Sequence, residues 1–309
     1  MKLSIVATLY QSAPYINEFY ERASAAARQL VGENFEIVLV NDGSPDNSLD
    51  LAVKLTEMDA HVVVVDLSRN FGHHKAMMTG LAHAKGQRVF LIDSDLEEEP
   101  ECLSSFTAQM DQEACDVVYG VQERRKGGWF ERVSGRCFYR FFNALTGLAL
   151  PENIVTARLM TRRYVDALLR HQEREVFMAG LWHTTGFTQH AQTITKHSTS
   201  ETTYSFRRKI SVLVNSVTSF SNAPLISIFY IGVSISLFAL FYIAYLLIRW
   251  QFFAKPLSGW TSTIASIWLL GGLIISFIGV IGIYLSKIFS ETKQRPYTIV
   301  RQIYEQQQN

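Results

Sequence analysis

Two stretches of this 309-residue chain lack charge altogether, Ile210 to Ile248 and Pro256 to Ser286, although the whole chain sets 29 Lys and Arg against 28 Asp and Glu. Each exceeds the roughly 20 apolar residues that a helix needs to cross a bilayer, which predicts a membrane protein with a polar N-terminal domain. With a net charge of only +1 and no recognised nucleic-acid module, nucleic acid is not an expected partner. Cysteine is scarce: Cys102, Cys115 and Cys137 are odd in number and lack metal-ligand spacing, so small buried hydrophobes are expected rather than disulfides or a zinc site. His171, His183, His190 and His197 likewise fit no zinc motif. There is no Gly-x-Gly-x-x-Gly and no Gly-x-x-x-x-Gly-Lys-Ser/Thr, which removes support for a dinucleotide fold or a P-loop. Met1 to Val6 run into a strand and then Pro14 rather than into a signal-peptide core, so the N-terminal domain is expected to stay in the cytoplasm.

What is present begins with alternation. Apolar runs at Leu3–Leu9, Phe35–Val40, His61–Leu67 and Arg88–Ile92 read as strands, separated by helical spacing over Tyr15–Leu30, Leu49–Met58 and Lys75–Ala84. Such alternation predicts a doubly wound α/β sheet, in which ligands sit beyond the carboxyl ends of the strands. The residues there are Thr8-Leu9-Tyr10, Asn41-Asp42-Gly43-Ser44, Ser68 to His74 with Arg69, Asn70 and Gly72, and Asp93-Ser94-Asp95. Asp42 can accept hydrogen bonds from a base or a ribose hydroxyl, and Arg69 can meet phosphate charge. Asp93 and Asp95, on alternate residues after a strand, can share a hard divalent cation such as Mg²⁺ or Mn²⁺; helix N-capping ahead of Pro100 is the other reading of that acidic run.

Taken in order, Val40-Asn41-Asp42-Gly43-Ser44-Pro45-Asp46-Asn47-Ser48, Arg69-Asn70-Phe71-Gly72-His73, and Asp93-Ser94-Asp95-Leu96 with Pro100-Glu101 resemble the motifs of family 2 glycosyltransferases with the GT-A fold. The resemblance is to the branch that moves a sugar from a nucleotide sugar to a polyprenyl phosphate, including dolichyl-phosphate mannose synthases and bactoprenol glucosyltransferases. It implies that Asp42 binds the nucleobase, that Asp93 contacts ribose or metal, and that Asp95 ligates a Mg²⁺ or Mn²⁺ ion bridging the donor diphosphate. Thr8, Tyr10, Ser44, Arg69, Asn70 and Gly72 complete the implied donor site. The family's acceptor-phosphate arginines carry over to Arg124 and Arg132, and Arg158 joins the implied catalytic set. Two departures lie near the donor: His74 stands where many relatives have Gln, and Glu97-Glu98-Glu99 replaces Gln-Asp-Pro. A third is Thr156, at the position of the family's reaction-centre Asp. A phosphate acceptor is already anionic and needs no base there, whereas a sugar hydroxyl does.

Downstream, Asp116–Gly120 reads as a strand, Glu173–Trp182 as a helix and Phe187–Ile194 as an alternating strand. Over Trp129–Leu145, Arg132, Arg136 and Arg140 recur every four residues beside an apolar stripe, a pattern that suits a lipid phosphate, an anionic membrane surface or a solvated helix face. Lys196–Tyr204 reads as a loop near the active site. The expected organisation is a GT-A-like doubly wound sheet domain over 1–204 and an interfacial helix over 205–223. A transmembrane hairpin over 224–288 (spans 224–248 and 260–288) and a cytoplasmic tail over 289–309 follow. Arg207, Arg208 and Lys209 before the spans, and Lys287, Lys293 and Arg295 after them, outnumber Arg249 and Lys255 between them. That asymmetry predicts a multi-pass protein of the inner (cytoplasmic) membrane with both termini cytoplasmic. Gly272, Gly279 and Gly282 permit close helix approach, within the hairpin or between subunits of a homo-oligomer.

The expected activity is metal-dependent, inverting transfer of a sugar from a nucleotide diphosphate sugar to undecaprenyl phosphate. A transferase that extends a lipid-linked saccharide at a hydroxyl, and a silent nucleotide-sugar-binding scaffold, are the alternatives.

Overall fold

The computed structural model describes residues 1–122, 153–173, 176–195, 217–218, 221–252 and 259–306. The chain divides into two compact units, one holding a sheet together with the C-terminal strand, the other holding two long helices.

The first unit alternates as its apolar periodicity dictates: β1 (Leu3–Leu9), α1 (Ile16–Val31), β2 (Phe35–Asn41), α2 (Ser48–Met58), β3 (Val62–Leu67), α3 (His73–His83), β4 (Arg88–Leu91), α4 (Cys102–Glu113), β5 (Val117–Gln122). Then come β6 (Ile154–Thr161), α5 (Arg162–Leu168), α6 (Met178–Thr184) and β7 (Gln189–Ile194). Every residue of β1 and β2 is buried, as expected for parallel strands covered on both faces. One face of the sheet packs Ile5, Ile37, Leu39 and Phe90 against Phe19 of α1, Leu55 of α2 and Phe106 of α4. On the other face lies α3, close enough that a Cβ at Gly80 would stand 2.5 Å from the Val6 side chain and 2.9 Å from that of Val40.

The sheet has eight strands in the order β7-β5-β6-β4-β1-β2-β3-β8, where β8 is Val300–Tyr304. β1 to β4 are mutually parallel, β6 runs antiparallel to β4 and β5, and β8 runs antiparallel to β3. The result is the expected α/β architecture as a mixed sheet. Boundaries move in the second half: the helix expected from Glu173 begins at Met178, with residues 174 and 175 outside the described ones, and the strand expected from Phe187 begins at Gln189. Gly186 and Phe187 both adopt positive φ (73° and 64°), a turn that delays the strand.

In the second unit, α7 (Ala223–Phe252) and α8 (Trp260–Thr292) are 30 and 33 residues long. Among the described residues one segment, Leu269–Thr292, is long and apolar enough to cross a membrane. The Tyr284 hydroxyl donates to the Ser221 carbonyl at 2.6 Å, tying α8 to the residues just before α7. The expected interfacial helix, the 129–145 segment with its arginine stripe, and the 196–204 loop lie mostly or wholly outside the described residues.

Candidate active site at the carboxyl rim of the sheet

Because β1, β2, β3 and β4 are parallel, the loops that follow them meet at one rim. Asp42, after β2, is 2% exposed and accepts hydrogen bonds from the Phe71 and Gly72 amides at 2.7 and 3.0 Å. Burial pushes its carboxyl up against the opposing pull of those amides and of His73 and Arg69. Gly43 follows at φ +59°, and a Cβ there would lie 2.4 Å from the Asn70 amide nitrogen. The glycine therefore permits direct contact between the backbones of the 41–44 and 69–72 loops. Ser44 adds the third loop: its Oγ accepts from the Gln11 amide at 2.7 Å and donates to Asp46 at 2.5 Å. Burial pushes the Asp46 carboxyl up, but bonds from the Ser44 and Ser48 hydroxyls and the Ala13 and Ser48 amides outweigh it and hold it at about 2.

Arg69 and Asn70 are exposed at this rim; the Arg69 guanidinium lies 4.1 Å from the Phe71 ring centroid and donates to the Asn70 carbonyl. Tyr10 is half exposed, whereas Thr8 is buried with its Oγ1 2.9 Å from His73 Nδ1. The other ring nitrogen of His73 stands 3.3 Å from Asp93 Oδ1. Burial lowers the His73 pKa, yet Asp93, Asp42 and Asp95 together leave it raised. His73 lies in the rim stretch and in the motif that the sequence singles out, but sequence reasoning gave it no role; its signal was a polar side chain opening α3 right after the Gly72 turn.

Asp93 and Asp95 remain partly accessible, and Asp95 Oδ1 accepts the Glu97 amide at 3.0 Å, a local turn that shapes the acidic loop. Their carboxylate oxygens are hard donors at the strand end, a donor type that fits a hard divalent cation such as Mg²⁺ or Mn²⁺. Among the described residues, Glu113, Cys115 and His190 form a group that could hold a metal ion, their ligand atoms lying within 4.8 Å of one another. It sits beside the start of β5, at the opposite edge of the sheet, and there His190 contacts Glu113 directly. It includes Cys115 and His190, to which the sequence assigned packing and ordinary polar roles.

Next to His73 is a cavity of about 290 Å³ lined by His74, Met77, Gln122, Asn153, Thr156, Phe177 and Trp182 among others. Its β6 wall is held by two buried charges. Glu98 accepts the Thr156 and Ala157 amides, and Arg158 donates to the Thr156 and Val155 carbonyls. Burial depresses the Arg158 guanidinium to about 9. With no exposed surface and with Trp182 stacked on it, Arg158 is placed to position this wall. Arg124 and Arg132 lie outside the described residues.

Residues 4–169 match the family described as Glycosyl transferase family 2. Over 98% of its length the chain is 53% identical to a Mycobacterium tuberculosis (strain CDC 1551 / Oshkosh) protein named "Putative glycosyltransferases", spanning 89% of it. It is also 32% identical to uncharacterized glycosyltransferase YkcC of Bacillus subtilis (strain 168), across 98% of this chain and 94% of that one. Among solved structures, S. aureus TarS residues 1–349 aligns with 19% identity and a TM-score of 0.46, over 71% of this chain and 65% of that one.

Proposed function

This chain belongs to Glycosyl transferase family 2 and transfers sugar from a nucleotide sugar; we propose that its acceptor is a polyprenyl phosphate presented at the membrane. One observation carries the reading. The segments after β2, β3 and β4 bring Asp42, Ser44, Arg69, His73 and Asp93 to one rim, where His73 lines a cavity whose β6 wall offers Thr156, not a carboxylate. Among the described residues of this lining a hydroxyl acceptor would have no carboxylate to take its proton, leaving only the His73 and His74 rings, whereas a phosphate oxygen arrives as an anion and needs neither.

In the proposed reaction the acceptor phosphate oxygen attacks the anomeric carbon, the bond to the donor diphosphate breaks, and the sugar inverts. Asp93 and Asp95 would hold a divalent ion, which would supply charge compensation for the departing diphosphate. Asp42, Ser44, Arg69, Asn70 and Gly72 hold the nucleotide, with Thr8 and Tyr10 closing its side of the rim, and Arg124 and Arg132 meet the acceptor phosphate. The apolar α8 segment Leu269–Thr292 supports one span; the two-span anchor with cytoplasmic termini rests on the two uncharged stretches and the positive charge that flanks them.

The test is product analysis by mass spectrometry on the full chain in membranes, with a panel of nucleotide sugars offered to undecaprenyl phosphate or to a lipid-linked saccharide. A glycosylated undecaprenyl phosphate, lost in chelator and in Asp95→Ala, is expected. Extension of the saccharide alone would make the acceptor a hydroxyl. Full rates in chelator would remove the metal from the mechanism, and binding without turnover on any acceptor would leave a scaffold.

A further inference from the structure

We propose that Arg301, on the C-terminal strand, is a positioning residue for the donor nucleotide, acting through a chain of polar contacts that crosses three strands. The proposal rests on the donor reading above.

β8 pairs with β3 at the edge of the sheet nearest the nucleotide loops, with Gln302 opposite Asp66 and Val300 opposite Leu67. Ser68, the first residue of the Arg69-Asn70 loop, is held from both of its backbone groups. Its amide donates to the Ile299 carbonyl at 2.9 Å, and its carbonyl accepts from Arg301 Nη2 at 2.7 Å. The other arm of the same guanidinium, Nη1, is 3.3 Å from Asp66 Oδ2, an ion pair and not an aligned hydrogen bond.

Asp66 is 1% exposed, so its charge needs compensation inside the sheet. Its Oδ1 accepts from Asn41 Nδ2 at 2.8 Å, and Asn41 Oδ1 in turn accepts from the Ser44 amide at 3.2 Å. One fork therefore reaches the nucleotide site by two routes, through Ser68 to Arg69 and through Asp66 and Asn41 to Ser44. Thr298 adds a further clamp, its Oγ1 standing 2.8 Å from Thr79 Oγ1 on α3. No link touches ligand, and the two routes end on loop backbone at Ser68 and Ser44, so the expected consequence is ordering of the donor loops, with the cost of their ordering met before the nucleotide arrives.

The test uses the full chain, measuring affinity for UDP, GDP and dTDP by calorimetry, together with KM and kcat for whichever donor and acceptor pair turns over. Arg301→Ala should raise donor Kd and KM about tenfold, the equivalent of one strong contact, with kcat within about twofold. It should also lower the thermal midpoint, because the Asp66 charge is left unpaired. Arg301→Lys separates the two effects. Its ammonium can pair with Asp66 and restore the midpoint but cannot span Asp66 and Ser68 as the planar fork does, so KM should stay raised several-fold. Wild-type KM in Arg301→Lys, or a loss in kcat in place of KM, overturns the proposal. A wild-type chain that binds none of the three nucleotides overturns the donor reading instead.

Discussion

Glu98 and Arg158, neither with any exposed surface, hold the same run of β6 through opposite backbone groups. Glu98 takes the Thr156 and Ala157 amides at 3.1 and 2.8 Å, while Arg158 gives to the Thr156 and Val155 carbonyls at 3.3 and 3.4 Å. The acidic loop after β4 is thereby fastened to β6, the neighbouring strand that lines the cavity. Glu98→Gln keeps the shape but offers one acceptor oxygen for two amides and removes a negative charge near Arg158. A loss of about 1–3 kcal/mol is expected, read as a lowered thermal midpoint, with transfer impaired more than nucleotide affinity. Unchanged midpoint and rate would show that the clamp does not shape the site.

Gly43→Ala tests the contact between the second and third loops. The added methyl would meet the Asn70 amide nitrogen at 2.4 Å and the Arg69 carbonyl carbon at 2.5 Å, both backbone atoms that cannot swing aside. The left-handed conformation at φ +59° adds strain of order 1 kcal/mol. Nucleotide affinity should fall by about tenfold or more, measured by calorimetry, and wild-type affinity would mean that this contact does not shape the nucleotide site.

His74 presents a fixed tautomer. Its Nδ1 is 3.0 Å from the Val176 carbonyl, which only accepts, so the proton is on Nδ1; burial lowers the ring's pKa, so Nε2 is an acceptor. Because His74 lines the cavity, His74→Gln should leave nucleotide affinity intact and shift relative kcat/KM among donor sugars by up to about tenfold, one hydrogen bond's worth. An unaltered ranking across the panel would remove His74 from sugar recognition.

Asp59 makes the fold acid-sensitive. Burial pushes its carboxyl up, but the His61 amide, the Tyr20 hydroxyl and the His61 ring outweigh that and hold it at about 2, below the ordinary 3.8. A depressed carboxylate stabilises the fold above its unfolded pKa and loses that contribution as pH falls from about 4 to 2, here on the order of 2 kcal/mol. Asp59→Asn should be less stable at neutral pH and show a flatter stability profile in that range. A parallel profile would assign the acid transition to other carboxylates.

The strand and helix alternation over residues 3–113 was legible because each strand is a mainly apolar run, interrupted by single polar residues such as Glu36 and Asp66, between helical periods, and parallel pairing then delivers every loop to one rim. Thr8, Asp42, Ser44 and Asp93 could accordingly be named in advance as rim residues. β6 and β8 could not be placed so. Both run antiparallel to their neighbours, β8 has only five residues, and β6 carries an arginine whose burial is met by the Val155 and Thr156 carbonyls and the Trp182 ring. Glu98 read as one of three acidic residues in a row, and nothing local distinguishes the fully buried one from its exposed neighbour Glu99.

By itself the sequence determined which residues lie at strand ends, since apolar periodicity is a local property, and it determined where charge is absent, since that is composition. Only the tertiary structure decided the partners of those residues. His73 meets Asp93, Arg301 reaches Asp66 and Ser68, and Glu98 finds the Thr156 and Ala157 amides across separations of 20 to more than 200 residues. Such pairings follow from strand order and strand register, and chain spacing carries no record of either.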